Sequence, residues 1–332
     1  MAVAGKALLV TGGAGYVGSH AVAVLLERGW RVVVVDSLLT GHRAAVPPEA
    51  TFVQRDLADV EGLAQVFAAH RFDAILHFAA LSLVGESMKD PLRWIGENVG
   101  NAVTLLRLAA RHGVKRFVLS STAALFDPLG DKPIDERTTI APTSPYGDSK
   151  HMVERTLHWA DQVLGIRSAC LRYFNAAGAH PGGKIGEDHR PETHLIPIVI
   201  EAALGRRPHV TIYGRDYQTP DGTCVRDYVH VLDLIDAHIA VLDPLGARSL
   251  RYNLGTGTGN SVSEVIRAVE EVGGRKVPVE YGARRPGDAS VLVADPGLIR
   301  RELGWTPRYA SLRSIVETAW RWHESHPKGY GD

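Results

Sequence analysis

The feature that most narrows what this chain folds into is a glycine turn set between an apolar run and a helical pattern. Ala7–Val10 leads into Thr11-Gly12-Gly13-Ala14-Gly15-Tyr16-Val17-Gly18, after which Val17–Arg28 carries helical periodicity. Buried strand, sharp turn and helix in that order open a βαβ unit. In such a turn Gly12 permits the tight bend, Gly15 lets a diphosphate approach the backbone, and Gly18 lets helix and strand pack closely. The helix N-terminus, with Tyr16 and Val17 in its first turn, presents N–H groups and a favourable dipole to that diphosphate. A glycine pattern alone more often marks an ordinary turn, so the context has to decide.

The context repeats the unit. Val32–Val35, Ala74–Leu76, Phe117–Leu119 and Ala169–Leu171 are further near-continuous apolar runs. Strands of a parallel sheet covered on both faces look like this. Helical stretches follow over Leu63–His70, Pro91–His112 and Tyr146–Leu164. The alternation predicts an α/β fold, a Rossmann-type doubly wound parallel sheet. Past Tyr173 the texture changes. Asn175 to His194 is rich in glycine, proline and charge without a period, and reads as a long functional loop. Helices are expected near Leu195–Leu204, Leu232–Leu242 and Leu312–His323, and a strand at Val210–Tyr213. Ser261 and Glu264 form a capping box for a helix through Val272. Gly255–Gly259 reads as a strand-to-helix turn, because it lacks the Gly-Lys-Ser/Thr ending of a phosphate loop. Residues 1–174 are expected to form the dinucleotide-binding domain. Residues 175–332 are expected to form a smaller α/β substrate-binding lobe over the carboxyl ends of the sheet, with some chain returning to the first domain.

Composition excludes several classes. The 37 basic residues balance 37 acidic ones, which gives no reason to expect nucleic acid or an acidic membrane as partner. Two cysteines, Cys170 and Cys224, supply neither a disulfide framework nor a zinc motif. No apolar stretch approaches the roughly 20 residues of a membrane span. No basic, apolar and cleavage regions follow one another at the start, so a soluble cytoplasmic protein is expected. His180, His189 and His194 lie in or beside the long loop without the close spacing of zinc ligands, and no metal is expected.

Asp36 ends the second strand about 20 residues after the glycines, where an acid hydrogen-bonds the adenine ribose hydroxyls and repels a 2′-phosphate. That favours NAD over NADP. Asp56-Leu57 follows the third strand and Phe78-Ala79-Ala80 the fourth, at sheet ends suited to adenine and ribose. Tyr146-Gly147-Asp148-Ser149-Lys150 then places a tyrosine and a lysine four apart, on one helical face. A free tyrosine titrates at about 10, too high for a base at neutral pH unless a cation such as Lys150 stabilises the phenolate. Ser120-Ser121-Thr122 ends the fifth strand and offers the Thr122 hydroxyl to share the substrate proton. Alone, Tyr-x-x-x-Lys is usually a solvated helix face. Joined to the glycine turn and the strand-end hydroxyl, it is the short-chain dehydrogenase/reductase signature. Sugar dehydratases on this scaffold have Asp-Glu after the catalytic threonine, whereas Ala123 and Ala124 stand here, so elimination lacks its proton carriers.

These residues resemble the UDP-galactose 4-epimerases, an extended branch of the short-chain dehydrogenase/reductase family, over nearly the whole chain. The stretches that carry the resemblance are His77–Ala80, Val84–Ser87, Ser144–Gly147, Leu171–Asn175, Gly178–Pro181, Gly186–Asp188, Asp221–Thr223, Val225–Tyr228 and Arg284–Asp288. It implies interconversion of UDP-glucose and UDP-galactose through transient oxidation at sugar C4 by a tightly bound, recycled NAD. It implies Tyr146, Lys150 and Thr122 as the catalytic set. Ser37, Leu38, Thr40, Ser82, Asn98, Ser120, Tyr173 and Phe174 join the cofactor residues already named. Asn175, His194 and Leu195 would face sugar and diphosphate, with Thr211, Ile212 and Tyr213 at uracil. Arg226 and Arg285 would clamp the diphosphate, with Asp288 on the ribose and Tyr228 nearby. Leu292 would line the sugar pocket, its bulk disfavouring N-acetylated sugars.

The chain departs from the pattern in three places. Ser82 stands where many relatives have a lysine beside the NAD ribose, and weaker cofactor retention is expected from it. Leu125-Phe126-Asp127 replaces Val-Tyr-Gly, and Thr122 replaces serine with its hydroxyl kept. The same chemistry on UDP-xylose/arabinose or UDP-GlcNAc/GalNAc, a net NAD-dependent dehydrogenase, and a non-catalytic dinucleotide sensor remain alternatives. The resemblance also implies a homodimer paired through the helices at Pro91–His112 and Tyr146–Leu164.

Overall fold

Five consecutive buried residues, Ala7–Thr11, leave neither face of the first strand in water, and Val32–Asp36 repeats the pattern. Such strands belong inside a parallel sheet. The structure, a computed structural model of the chain, describes residues 7–127, 132–285 and 288–331. Its elements begin with β1 (Ala7–Thr11), α1 (Tyr16–Glu27), β2 (Arg31–Asp36), β3 (Thr51–Gln54), α2 (Val60–Ala69) and β4 (Phe72–His77). Next come α3 (Val84–Ser87), α4 (Pro91–Arg111), β5 (Arg116–Thr122), α5 (Pro145–Leu164) and β6 (Arg167–Tyr173). Then follow β7 (Asn175–Ala177), α6 (Leu195–Ala203), β8 (Val210–Tyr213), β9 (Val225–His230), α7 (Val231–Ala240) and β10 (Leu250–Leu254). The chain closes with β11 (Gly259–Ser261), α8 (Val262–Gly273), β12 (Val279–Gly282), β13 (Val291–Leu292), α9 (Gly297–Leu303) and α10 (Leu312–Ser325).

A seven-stranded sheet runs in the order β10-β6-β5-β4-β1-β2-β3, with parallel pairing from β3 through to β5. This is the Rossmann-type doubly wound α/β fold. Strand order reverses between β1 and β4, so the crevice at their carboxyl ends is a topological switch point, where ligands bind such sheets. The glycine turn after β1 and Phe78-Ala79 after β4 both lie there.

The chain forms two compact units. One takes Met1–Asp127, Arg137–Arg172 and Ile235–Tyr252; the other takes Pro128–Glu136, Tyr173–Leu234 and Asn253–Asp332. The first buries Leu9, Val35, Ile75 and Phe117 from the sheet against Leu105 and Leu106 of α4 and Leu157 of α5. Burial of one such side chain contributes about 1.5–3 kcal/mol. That outweighs Gly96 and Gly100 within α4, each costing about 1 kcal/mol against alanine, where an added Cβ would meet nothing. Asp90 caps α4 through the Arg93 N–H at 3.3 Å, and Pro91 opens its first turn. The second unit gathers Ile200 of α6, Val265 of α8, Val316 and Trp320 of α10 and Ile212 of β8 into its own core. The capping box of Ser261 and Glu264 is formed.

Some elements differ from the sequence reading. The loop from Asn175 opens with the short strand β7, which pairs in parallel with β9. Gly255–Gly259 leads into β11 rather than directly into a helix. The cause is Asp227: its buried carboxylate accepts N–H groups from Thr256 at 2.9 Å, Gly257 at 3.0 Å and Ala294 at 3.2 Å, and the Thr256 hydroxyl at 2.8 Å. Burial raises the Asp227 pKa, and those hydrogen bonds oppose the rise.

His77 closes β4 inside the first unit, 2.7 Å from the Thr11 hydroxyl through Nδ1. Burial, with the nearby Lys150 charge, pushes its pKa down to about 3. Above pH 6.5 the ring is neutral whether the chain is folded or not. Below that, the unfolded chain takes up a proton that the folded one refuses, and stability falls until pH reaches about 3. Between pH 6.5 and 5 this one group accounts for a loss of about 2 kcal/mol. In urea unfolding across that interval, His77→Asn is expected to show a shallower acid loss than the parent by about that amount; equal slopes would reject the assignment.

Candidate active site

The dinucleotide half is built on β1, β2 and β4. Gly12 has a positive φ of 73°, and a Cβ there would lie 2.4 Å from the Ala79 nitrogen. The turn therefore presses against the chain leaving β4, where Phe78 and Ala79 both donate to the Thr11 carbonyl, at 3.0 and 3.1 Å. A Cβ on Gly18 would come within 2.0 Å of the Gly12 carbonyl, so α1 closes onto the glycine turn itself. Gly15 differs: the nearest atom to its added Cβ is 3.5 Å away. No steric demand of the chain requires glycine there, which fits a group outside the chain approaching that backbone.

Asp36 accepts the Ala14 N–H at 2.9 Å and the Leu38 N–H at 2.8 Å, one on each carboxylate oxygen. It thereby ties the glycine turn to the end of β2. Burial raises its pKa, with both backbone donors opposing. Leu38 has a φ of 61°, and Ser37 and Thr40 beside it are exposed. Asp56 accepts from the Ala58 N–H at 2.8 Å, while Leu57 is buried in the core. The strand ends and glycine turn thus form an open-backed cradle carrying a carboxylate, which fits a dinucleotide.

The catalytic half depends on the start of α5. Ser144 accepts the Gly147 N–H at 3.2 Å, and Pro145 fills the first helical position. A Cβ on Gly147 would meet the Ala124 carbonyl at 2.1 Å, so this turn sits directly against the 3-10 turn Ala123–Leu125 that follows β5. The contact brings the Tyr146–Lys150 turn to the end of β5, where the Thr122 hydroxyl accepts the Ala124 N–H at 3.1 Å. Buried Lys150 donates to the Ser120 carbonyl at 2.9 Å. Burial lowers its pKa to about 8, with Glu154 opposing. At pH 7 it therefore still carries its charge, in a medium where that charge acts strongly.

Two polar groups shape this region in ways the sequence reading did not find. Glu154, one turn beyond Lys150, accepts the Ser121 hydroxyl at 2.7 Å and two Arg172 donors at 2.9 and 2.6 Å. Arg172 also lies over the Phe126 ring, 5.4 Å from its centroid. A buried fork–fork pair thus locks β5, α5 and β6 together. Its signal was present in the charged residues Glu154 and Arg172, one on a helix and one in an apolar strand. Asn98 accepts from the Leu81 N–H at 2.8 Å and donates to the Leu81 carbonyl at 3.1 Å and the Ser149 hydroxyl at 3.0 Å. Its carboxamide holds the segment after β4 against α5. Ser82, Tyr173 and Phe174 are partly or fully exposed, and Ala80 is half-buried.

Apart from Thr122 and Tyr146, the residues expected at the substrate lie in the second unit. Thr211, Ile212 and Tyr213 line up on β8; Ile212 is buried and Tyr213 exposed. The Arg285 guanidinium stacks over the Tyr213 ring at 3.9 Å. Arg226 pairs with Asp288 and donates to the Val225 and Ala289 carbonyls at 2.8 and 2.9 Å. Tyr217 donates to the other Asp288 oxygen at 3.1 Å. The expected pair of arginines is thus one stacked cation and one already paired with the acid assigned to ribose. Pro286 and Gly287 of that motif lie outside the described residues. Asn175 on β7 donates to the Asp227 carbonyl at 3.0 Å, and Tyr228 beside it is buried. Leu292 on β13 pairs with Arg226.

His194 precedes Leu195 at the start of α6 and stands among Glu187, His189 and Glu192. Its Nδ1 lies 2.8 Å from Glu187 and 3.0 Å from Glu192. The carboxylates raise His194 to about 11 and, against burial, His189 to about 9. The same imidazoles draw both carboxylates below their ordinary range despite burial. His180 instead accepts the Gly182 N–H at 3.1 Å.

The family model for the NAD dependent epimerase/dehydratase family matches residues 8–255. The chain belongs to that family. A UDP-glucose 4-epimerase of Lacticaseibacillus casei is 50% identical over 327 residues, 98% of this chain and 99% of that one. A crystal structure of a UDP-glucose 4-epimerase shares 48% identity and superposes with a TM-score of 0.96, covering 98% of this chain and 99% of that one. The Bifidobacterium longum UDP-glucose 4-epimerase, solved with NAD+ and UDP, is 36% identical with a TM-score of 0.92 over 98% of this chain and all (100%) of that one.

The Glu154–Arg172 pair is the energetic test of this construction. Arg172→Met leaves a buried carboxylate without its guanidinium and is expected to cost about 3–5 kcal/mol in denaturant unfolding. The double variant Arg172→Met with Glu154→Gln is expected to recover part of that loss. Additive losses would show that the pair does not act as a unit.

Proposed function

We propose that the chain is an epimerase interconverting UDP-glucose and UDP-galactose by inverting sugar C4. The observation that carries this reading is the turn of α5 bearing Tyr146 and Lys150, pressed onto the end of β5 beside Thr122, in a chain of the NAD-dependent epimerase family. The named relatives, matched across nearly their whole length, support the substrate. Gly12, Gly15, Tyr16, Val17, Gly18 and Asp36 would hold the NAD, with the strand-end residues after β3 and β4. When bound, NAD supplies a reversible hydride acceptor for C4.

The chain's own residues manage the proton and the fit. Tyr146 takes the proton from the sugar O4 and later returns it. Lys150 favours the phenolate, because its buried ammonium lies on the same helical face. Thr122 shares the hydrogen bond at O4. Inversion requires the 4-keto sugar to present its other face, so affinity has to rest on UDP rather than on the hexose. Thr211, Ile212 and Tyr213 would take uracil, Arg226 and Arg285 the diphosphate, and Asp288 the ribose. Asn175, His194, Leu195, Tyr228 and Leu292 would surround diphosphate and sugar. For Arg226 this means exchanging part of its bonding to Asp288 for phosphate, which it does without losing a charged partner.

This reading sets the protein in galactose metabolism in the cytoplasm, as a homodimer. No helix among the described residues is long and apolar enough to cross a membrane. Large apolar side chains are exposed on and beside α4 and α5: Met88, Leu92, Trp159 and Val163. Trp159 and Val163 are four apart on one face of α5, an apolar pair that a pairing of two copies would cover.

Turnover and mass both test the reading. Incubated with UDP-galactose and no added NAD, the purified protein is expected to form UDP-glucose without accumulating NADH, and to turn over UDP-N-acetylglucosamine less efficiently. Tyr146→Phe should lower turnover by about 10²–10⁴-fold; near-normal activity would remove the tyrosine from its role. Sedimentation equilibrium should give twice the mass of one chain. Val163→Glu is expected to shift that toward the single chain, whereas a parent that sediments as one chain refutes the dimer.

A further inference from the structure

The four side chains Glu187, His189, Glu192 and His194 come together at the end of the long loop. One donor atom from each lies within 4.8 Å of all the others. Four separations are resolved more finely. His189 Nδ1 stands 3.2 Å from Glu187 Oε1 and 3.7 Å from Glu192 Oε2. His194 Nδ1 stands 2.8 Å from Glu187 Oε1 and 3.0 Å from Glu192 Oε1. A tetrahedral zinc ion with nitrogen and oxygen ligands at 2.0–2.1 Å sets its donors about 3.3–3.4 Å apart. The separations from Glu187 Oε1, 3.2 and 2.8 Å, lie at and below that edge, and Glu192 offers Oε2 to His189 and Oε1 to His194.

We propose that Glu187, His189, Glu192 and His194 form a binding site for a divalent zinc ion that fastens the long loop to the start of α6. Imidazole nitrogen is a borderline donor and carboxylate oxygen a hard one, and zinc accepts both.

The surroundings hold the donors in place. The Trp322 indole donates to the Glu187 carbonyl at 3.0 Å, and Gly186 packs so closely on that indole that a Cβ would lie 2.2 Å from it. Tyr330 donates its N–H to Asp188 at 2.9 Å, next in sequence to Glu187. Glu192 accepts the N–H groups of Thr193 at 2.7 Å and His194 at 2.8 Å, which orients its carboxylate. Nearby basic groups are directed elsewhere: Arg190 bonds Asp188 and the Lys328 carbonyl, and Arg206 bonds the His323 carbonyl. Glu187, His189 and Glu192 also border a solvent-open cavity of about 440 Å³, giving an ion its route inward.

The sequence offers Glu-x-His-x-x-Glu-x-His, whose histidines are five apart with carboxylates between. That is no standard zinc spacing, and the close approach of these groups exists only in the folded loop. His194 is shared with the substrate residues of the proposed function, so the proposal is tested by metal loading, which is read without turnover.

The test uses the full chain, stripped with EDTA and dialysed. One equivalent of Zn2+ is expected to bind per chain in competition with a chelating dye. The melting temperature is expected to rise by roughly 5 °C at a hundredfold excess over Kd. Co2+ in place of zinc should give the intense visible bands of a tetrahedral ion, and Mg2+ should produce neither effect, since it demands an octahedral oxygen shell. Glu187→Gln and, separately, His189→Ala should each weaken zinc binding by at least about a hundredfold. Should both variants misfold, the cobalt spectrum of the parent chain decides alone. A hydrated-ion spectrum, or zinc bound no more tightly by the parent than by a folded variant, overturns the site and leaves an ion-pair cluster.

Discussion

Much of the site's geometry depends on one backbone contact, the closure of the first turn of α5 onto the end of β5. Gly147 makes it possible, because any larger residue would drive a carbon into the Ala124 carbonyl. Ser144 and Pro145 start the helix at that point and no later. Once the turn is seated, Tyr146 and Lys150 share a face by helical geometry alone, and Lys150 reaches the Ser120 carbonyl. A helix begun one residue later would rotate that face by about 100° and carry the lysine away from the strand.

The contact is costly to maintain, since it buries an ammonium. Its compensation comes from the same helix. Glu154 lies one turn further on, and its attraction offsets part of the lysine's desolvation. Glu154 is in turn neutralised by Arg172. The charges therefore alternate from the active end of α5 into the core, and each is tolerable only because of the next. Ser121, between the two strand-end residues Ser120 and Thr122, is held by the same carboxylate. The tyrosine's surroundings are thus set from beneath by a buried ion pair as well as from the side by glycine.

Local patterns made the sheet, its helices and the Tyr146–Lys150 turn legible. Apolar runs such as Leu8–Val10 and Val32–Val35 have only one comfortable location, and Ser144-Pro145 starts a helix wherever it stands. β3 was legible only as the third strand that Asp56-Leu57 follows, without bounds, because Thr51–Gln54 is half-exposed at the sheet edge, where no apolar run is needed. β9 escaped because Val225–His230 carries Arg226, Asp227 and His230, whose polar atoms find partners only after distant chain arrives. Asp227 is the clearest case: its ligands come from Thr256, Gly257 and Ala294, and no local period announces them. The glycine turn was legible in position but not wholly in cause. Gly12 and Gly18 answer to each other and to Ala79, whereas Gly15 alone answers to nothing in the chain.

That contrast separates two kinds of constraint on a binding site. Where a small residue or a polar group is explained by its neighbours, it serves the fold and tells little about what binds. Asn98 belongs in this class, since its carboxamide is engaged by Leu81 and Ser149. Gly15 belongs in the other, because an alanine would meet no atom closer than 3.5 Å. Arg285 is intermediate: it has an aromatic face beneath it but no carboxylate among the described contacts, so its charge stays available to an anion. Arg226 already has Asp288, so on the proposed reading an incoming diphosphate would compete with that pair. One available cation and one shared cation would hold a dianionic diphosphate less tightly than two unpaired forks, and an enzyme that holds its substrate mainly by the part it does not change needs that part to let go again.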